Sequence, residues 1–354
     1  MKRFYNVPSS AFFVTLALTV ICSSGVAQSQ VIHVPVKIVF ETDMGNDIDD
    51  AIALAMLYRY AGQGKAELLA ISNNKQSINS VRFIDLMNRW YHYPNIPIGT
   101  VQNGKSGEDE SKSFAKKVID HSINSKKVFK SKIRKYTDVK ESVNLYRQIL
   151  SVQPDKSVVI ISVGFFTNLA RLLESEPDQF SSLNGMDLIK KKVKYLSVMA
   201  GNFSQPVSSE FNIINDISAA TKVYELWPGT IYSSPFEVGN NIHFPSKSIE
   251  MNLGYVHKNP LVEGYKLYNP MPYDRPTWDP TAVLFALEPK EGYFTLSKPG
   301  SIKVNKEGVT SFTENKNGNQ FYLMTPDLVG KQKILSRFIE LVNAVPKSIS
   351  EKKN

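Results

Sequence analysis

VPVKIVFETDMGNDIDDAIALAMLYRYA, residues 34–61, joins two unlike patterns across an acidic loop. Residues 34–42 are β-branched and alternating and end in polar residues, which predicts a buried strand. From Asp49 to Ala61 the apolar residues recur at helical spacing, which predicts a helix. Between them runs Glu41-Thr42-Asp43-Met44-Gly45-Asn46-Asp47-Ile48-Asp49-Asp50, with four aspartates in the eight residues 43–50.

The same alternation continues along the chain. Strands are expected at 67–72, 95–101, 157–164, 193–201 and 230–236, and helices at 77–93, 141–152, 167–175 and 218–227. Residues 240–277 are richer in Pro, Asn, Gly and Tyr and are expected to be irregular, as a lid or excursion. A helix at 281–289, a few β segments from about 291 and a last helix at 332–345 complete the reading. Strand–helix alternation at this pace predicts an α/β fold: a mostly parallel central sheet with helices on both faces, Rossmann-like. Ligands of such sheets sit beyond the carboxyl ends of the strands, where the polar loops fall.

The chain has 354 residues, 42% hydrophobic and 21% charged, enough for a sizeable core. Its net charge is +9. The lysines crowd only in 105–136, mixed with acids, which reads as a solvated face. With no basic stripe interleaved with aromatics, no nucleic-acid partner is expected. Lys2 and Arg3, the apolar run 11–21 (AFFVTLALTVI) and Gly25-Val26-Ala27 read as a signal peptide over 1–27, cleaved after Ala27. Residues 28–354 are then a single exported domain, periplasmic or secreted. The one cysteine, Cys22, falls in the leader, so the mature chain has no disulfide and no thiolate metal site. Lipid anchoring at Cys22 is disfavoured by the bulky Ile21 before it. No later apolar run is long enough to span a bilayer, and nothing in the sequence excludes a homo-oligomer.

Four carboxylates so close repel one another unless something neutralises them. Helix-start acids account for one or two. A hard cation accounts for all four, and a donor set of oxygens alone suits Ca²⁺ or Mg²⁺ rather than zinc. The spacing fits neither an EF-hand, a dinucleotide loop nor a P-loop. Asp47-Ile48-Asp49 leaves open a Mg²⁺-dependent phosphatase with an aspartyl nucleophile.

Two later polar stretches lie at predicted strand ends, and a third precedes a predicted helix. Val163-Gly164-Phe165-Phe166-Thr167-Asn168-Leu169-Ala170 opens a helix, with Thr167-Asn168 as its expected cap. Met199-Ala200-Gly201-Asn202, followed by Glu210-Phe211-Asn212, is otherwise a plain polar loop. Arg275-Pro276-Thr277-Trp278-Asp279-Pro280 leads into a helix that Asp279 alone could cap. Ser72-Asn73-Asn74 follows the second strand. None of the five histidines lies in these stretches, and no G-x-S-x-G is present.

In this order the stretches resemble the signatures of the inosine–uridine-preferring nucleoside hydrolases: D-T-D-x-G-x-D-D-A, T-G-x-L-T-N-[LI]-A, M-G-G…N…E-F-N and a late H-D-P. The likeness covers roughly residues 35–290. Glu41 stands where Asp is usual, Val163 where Thr is usual and Trp278 where many members have His. Two extra residues separate Gly45 from Asp49-Asp50. The resemblance implies hydrolysis of the N-glycosidic bond of ribonucleosides to free base and ribose, by a water held at Ca²⁺, in purine or pyrimidine salvage. It implies Asp43, Asp50, the Val163 carbonyl and Asp279 as calcium ligands, with Asp43 also the catalytic base. It places Asp49, Asn74, Met199, Asn202, Glu210 and Asn212 around the sugar, and Trp278 against the base. Two alternatives stand beside this one: a ribose- or nucleoside-binding protein of the same fold without the chemistry, and the phosphatase.

Overall fold

The computed structural model describes residues 1–2, 34–107, 109–254 and 258–344. The expected leader, apart from Met1 and Lys2, and with it Cys22 and the cleavage site, lies outside the described residues. The chain divides after His33 into two units, and the fold described is that of the second, from Val34 onward.

Ten strands build one sheet. They are β1 Val36–Thr42, β2 Ala66–Asn73, β3 Ile98–Thr100, β4 Lys140–Glu141, β5 Val158–Val163, β6 Val193–Met199, β7 Ile231–Ser234, β8 Gly300–Val304, β9 Thr310–Glu314 and β10 Gln320–Tyr322. Their order is β9-β8-β10-β7-β6-β5-β1-β2-β3-β4. Every pairing from β10 through β4 is parallel, and only β8 runs antiparallel to its neighbours β9 and β10.

The longer helices are α1 Asp49–Gly62, α2 Ile78–Trp90, α3 Phe114–Asp120, α4 Ser142–Val152, α5 Thr167–Leu173, α6 Gly185–Lys192, α7 Ile217–Leu226, α8 Pro260–Tyr268, α9 Asp279–Leu287 and α10 Leu328–Val342. Side chains of the central strands alternate between two cores, as the pleat requires. Ile38 and Phe40 of β1, with Val159 and Ile161 of β5, pack under α1, α2, α9 and α10. Val39, Val158 and Ile160 pack on the other face with α4 to α7. Strands buried on both faces explain the near-continuous apolar runs of β1 and β5.

The sequence reading found most of these elements and missed α3, α6, α8 and the two-residue β4. In α3 the buried Phe114, Ala115 and Val118 sit among lysines, and Phe114 meets Phe83 edge to face at 5.1 Å. The run 105–136, read as a solvated face, therefore buries one helix side. In α6 only Gly185, Leu188 and Ile189 are buried, and Asn184 caps the helix by accepting from the Asp187 amide at 2.9 Å.

Residues 240–277 are not irregular throughout, contrary to expectation. His243–Phe244 pairs antiparallel with Arg275–Pro276, closing the excursion at its base. Proline in the first turn and a cap from Asn259 start α8, which buries Leu261, Val262 and Tyr265. The proline and asparagine that signalled irregularity are the start signals of this helix. Gly264 packs against Ile48 and Phe114, so the excursion backs the acidic loop.

From β1 the chain moves outward through β2 and β3 to β4. It then returns to the far side of β1 as β5 and continues through β6 to β7. The order reverses between β1 and β5, and the crevice beyond their carboxyl ends is where such sheets bind ligands. Thr42 and Val163 face each other there as the last registered pair.

Candidate active site

The acidic loop leaves β1 at Asp43. Thr42 Oγ1 accepts from the Met44 amide at 3.1 Å and donates to Asp50, tying the loop's exit to the start of α1. Gly45 turns the chain at φ +111°, and a Cβ there would lie 2.6 Å from Ser113 Oγ. Neither helix that opens at the site is capped by its own side chains: Ile48 precedes α1 and Trp278 precedes α9, each without a side-chain cap. Asp49 instead reaches across, its Oδ2 accepting from the amides of Trp278 at 2.8 Å and Asp279 at 3.1 Å. Two positive helix ends thus converge on one cluster of carboxylates. Asp279 is the first residue of α9, not its cap. The expected cap at Thr167 is also replaced: Thr167 is the first residue of α5, and its hydroxyl donates to buried Asp216 at 2.6 Å.

Asp49, Asp50 and Asp279 each offer an oxygen within 4.8 Å of the other two, and all three are buried. Burial first, and then repulsion from neighbouring aspartates, pushes their carboxyls well above the ordinary range. Asp43 lies beside them, its carboxyl raised to about 6 by burial against the pull of Asn46 and Lys75. Repulsion among buried acids with oxygen donors only is the condition that a hard divalent cation relieves, so these residues fit a metal site.

A cavity of about 230 Å³ opens over this cluster. Asp43, Asp49, Asp50 and Asp279 line it together with Met199, Glu210, Asn212 and Trp278 from the later motifs. Glu210 is buried, and burial raises its carboxyl to about 7, although it accepts from the Asn212, Gly201 and Ile213 amides. Asn212 Nδ2 donates to the Met199 carbonyl at 3.1 Å, fixing the amide.

Three expected residues lie outside the lining. Asn202 holds its own loop, donating to Ser208 at 2.7 Å and accepting from Ser204. Val163 is fully buried at the end of β5. Asn74 is buried with neither side-chain polar atom partnered. It lies against Gly164, where a Cβ would come 2.5 Å from Asn74 Oδ1 and 2.7 Å from the Asp43 amide nitrogen.

Several site residues had no signal in the motifs. Lys75 is fully buried and donates to Asn46 Oδ1, while Asn46 Nδ2 donates to Asp43 Oδ2 at 2.5 Å. The lysine thereby fixes which end of the Asn46 amide meets Asp43. Asp47 pairs with Arg275, whose Nε donates at 2.9 Å. Asn46 and Asp47 both belong to the lengthened loop, so the extra length builds two new links into the site. Tyr268, Phe236 and Phe211 complete the wall. The extra loop length was the one visible clue to Asn46 and Asp47, whereas the bonds of Lys75 join distant segments and left none.

Residues 38–325 match the family described as inosine-uridine preferring nucleoside hydrolase. The chain belongs to that family. It is accordingly a hydrolase acting on N-glycosyl compounds, with a nucleoside as the substrate the family fits. Solved structures with the same fold include a plant nucleoside hydrolase, PpNRh1, at 18% identity and TM-score 0.66, over 88% of this chain and 99% of that one. A purine-preferring ribonucleoside hydrolase from Gardnerella vaginalis matches at 17% and 0.66, again over 88% and 99%. An inosine-uridine preferring nucleoside hydrolase from Bacillus anthracis matches at 17% and 0.62, over 86% and 99%. No curated protein matches the sequence. Among the described residues no helix is long and apolar enough to cross a membrane.

Proposed function

We propose that the chain hydrolyses ribonucleosides to ribose and free base in the crevice beyond β1 and β5, with Asp43 as the base that takes the proton from the attacking water. The observation that carries this reading is the meeting of buried Asp43 with the Asp49, Asp50 and Asp279 cluster and with the Glu210–Asn212 wall in one pocket. Asp43, Asp50 and Asp279, with the Val163 carbonyl, would hold Ca²⁺. A cation there would neutralise the carboxylates and acidify a water.

The protein's own groups supply the rest. Asn46, itself fixed by Lys75, donates to Asp43 Oδ2 and leaves Oδ1 to accept the proton. A positioned general base contributes on the order of 10²–10⁴ in rate. Positive charge developing on the sugar is matched by the surrounding carboxylates. Glu210 and Asn212 meet the sugar hydroxyls; Asn74 lies behind the lining with its amide unpartnered. The phosphatase alternative is disfavoured, because Asp47 is engaged by Arg275 and Asp49 by two amides.

Ribose release from a panel of nucleosides, before and after chelation and on return of calcium, tests the reading. Release that chelation abolishes and calcium restores is expected. An Asp43→Ala protein that folds should lose turnover, and hydrolysis at the wild-type rate would remove Asp43 as the base. Residues 1–27 are read as a cleaved leader, so the exported chain should begin at Gln28, which the mass of the mature protein checks.

A further inference from the structure

The lining of the pocket divides by chemistry. Asp43, Asp49, Asp50, Glu210, Asn212 and Asp279 make its polar part, which the proposed function assigns to the sugar and the attacking water. A cavity of about 230 Å³ leaves little room for choice. A nucleoside seated on those carboxylates presses its base toward the aromatic part of the wall, Phe211, Phe236, Tyr268 and Trp278, and toward Arg275.

Trp278 is not a lone indole. Phe236 stacks with it at 5.7 Å and 22°, and its Nε1 donates to the Phe236 carbonyl at 3.0 Å. The Arg275 guanidinium lies over the same indole at 5.2 Å and over Tyr268 at 5.1 Å. Two of its nitrogens are clamped by Asp47, and among the described residues Nη1 donates to no protein atom. No histidine or lysine lines the pocket, and Arg275 is its one fixed positive charge.

Breaking the N-glycosidic bond sends its electron pair to the base nitrogen. That charge must be met by a proton or by a cation. A guanidinium does not give up its proton, but it donates hydrogen bonds and stabilises an anion strongly where water is excluded. We propose that Arg275 is the catalytic residue that receives the departing base as an anion. Water oxygen bonds to C1′, its proton passes to Asp43, the C1′–N bond breaks toward the base, and the base takes a proton from solvent after release. Arg275 thereby serves N-ribosides whose ring nitrogen departs as an anion, and it extends turnover toward bases of lower acidity. This inference rests on the proposed ribosyl hydrolysis.

The test is kcat/KM for a series of ribosides whose leaving groups span a wide range of acidity, from 4-nitrophenyl riboside to amino-base nucleosides. The series is measured on wild type, Arg275→Gln, Arg275→Lys and Tyr268→Phe. Removing one preorganised donor to a developing anion costs about 10²–10³. Arg275→Gln should therefore lose about that factor on the least acidic bases and much less on 4-nitrophenyl riboside, steepening the dependence on acidity. Arg275→Lys, which keeps the cation, should restore part of the shallow dependence. A loss by Arg275→Gln that is equal across the series, or a slope that steepens only in Tyr268→Phe, overturns the role of Arg275 alone. If Arg275→Gln does not fold, Arg275→Met takes its place in the series, and a loss equal across all leaving groups again overturns it. No hydrolysis of any riboside by wild type overturns the proposed function and this inference together.

Discussion

Glu210 is held in the folded chain at a cost that pH should reveal. Its carboxyl is buried and raised from 4.5 to about 7, burial outweighing three amide donors. A group whose folded pKa lies above its unfolded one binds its proton more tightly in the folded state. It lends stability below the unfolded pKa and loses it as pH rises through the folded value. For Glu210 most of that loss falls between pH 5 and pH 8. With 4.5 unfolded and about 7 folded, it amounts to roughly 2 to 3 kcal/mol. Glu210→Gln removes the ionisation. It also disturbs the bonds to the Gly201, Asn212 and Ile213 amides, but that cost is common to both pH values. The assay is urea unfolding of wild type and variant in chelator at pH 5 and pH 8. The wild type minus variant stability should drop by about 2–3 kcal/mol from the lower to the higher pH. Asp43, Glu41 and the aspartate cluster titrate in both proteins and largely cancel. A difference that stays constant, or grows with pH, would refute the assignment of a raised carboxyl to Glu210. The variant should meanwhile lose turnover, stability and activity moving in opposite directions at pH 8.

Other consequences are as direct. Calcium at about 100 times its dissociation constant should stabilise the wild type by about 2.7 kcal/mol, seen as a shift in melting temperature. An Asp50→Asn, Asp279→Asn double variant should show no such shift. Gly164→Ala places a methyl against Asn74 and the Asp43 amide, and overpacking of this kind costs about 1–3 kcal/mol; stability and ribose release should both fall, and wild-type kinetics would show that the contact yields freely. Lys75→Met keeps the volume but frees the Asn46 amide to turn, so kcat should drop by about tenfold or more while the fold survives; unchanged kcat would remove the Lys75–Asn46–Asp43 chain from the chemistry.

Much of this architecture was legible because the central strands and helices carry long, unambiguous periods. β1, β5 and α1 could be placed to within two residues at each end from apolar spacing alone. The polar motifs were legible for a related reason: each sits where a strand ends and its loop must face the crevice. What stayed hidden depends on contacts between segments. Asp49 looked like a helix-start acid of α1 and proves to hold the amides at the start of α9. Lys75 carried no signal in the sequence and is fully buried. Asn202 resembled a sugar ligand, yet its amide is committed to Ser204 and Ser208. Proline and asparagine in 240–277 suggested a loop, but at Asn259-Pro260 they begin a helix.

The bond from Asp49 to the Asp279 amide closes a span of 230 positions. A chain still emerging presents a cation with the acids of the loop but not yet with Asp279. Capture of an ion would therefore wait until nearly the whole domain has come together, and its free energy would accrue to the finished fold. The ion would act less as a nucleus for folding than as a latch on its last step, rewarding completeness and nothing before it.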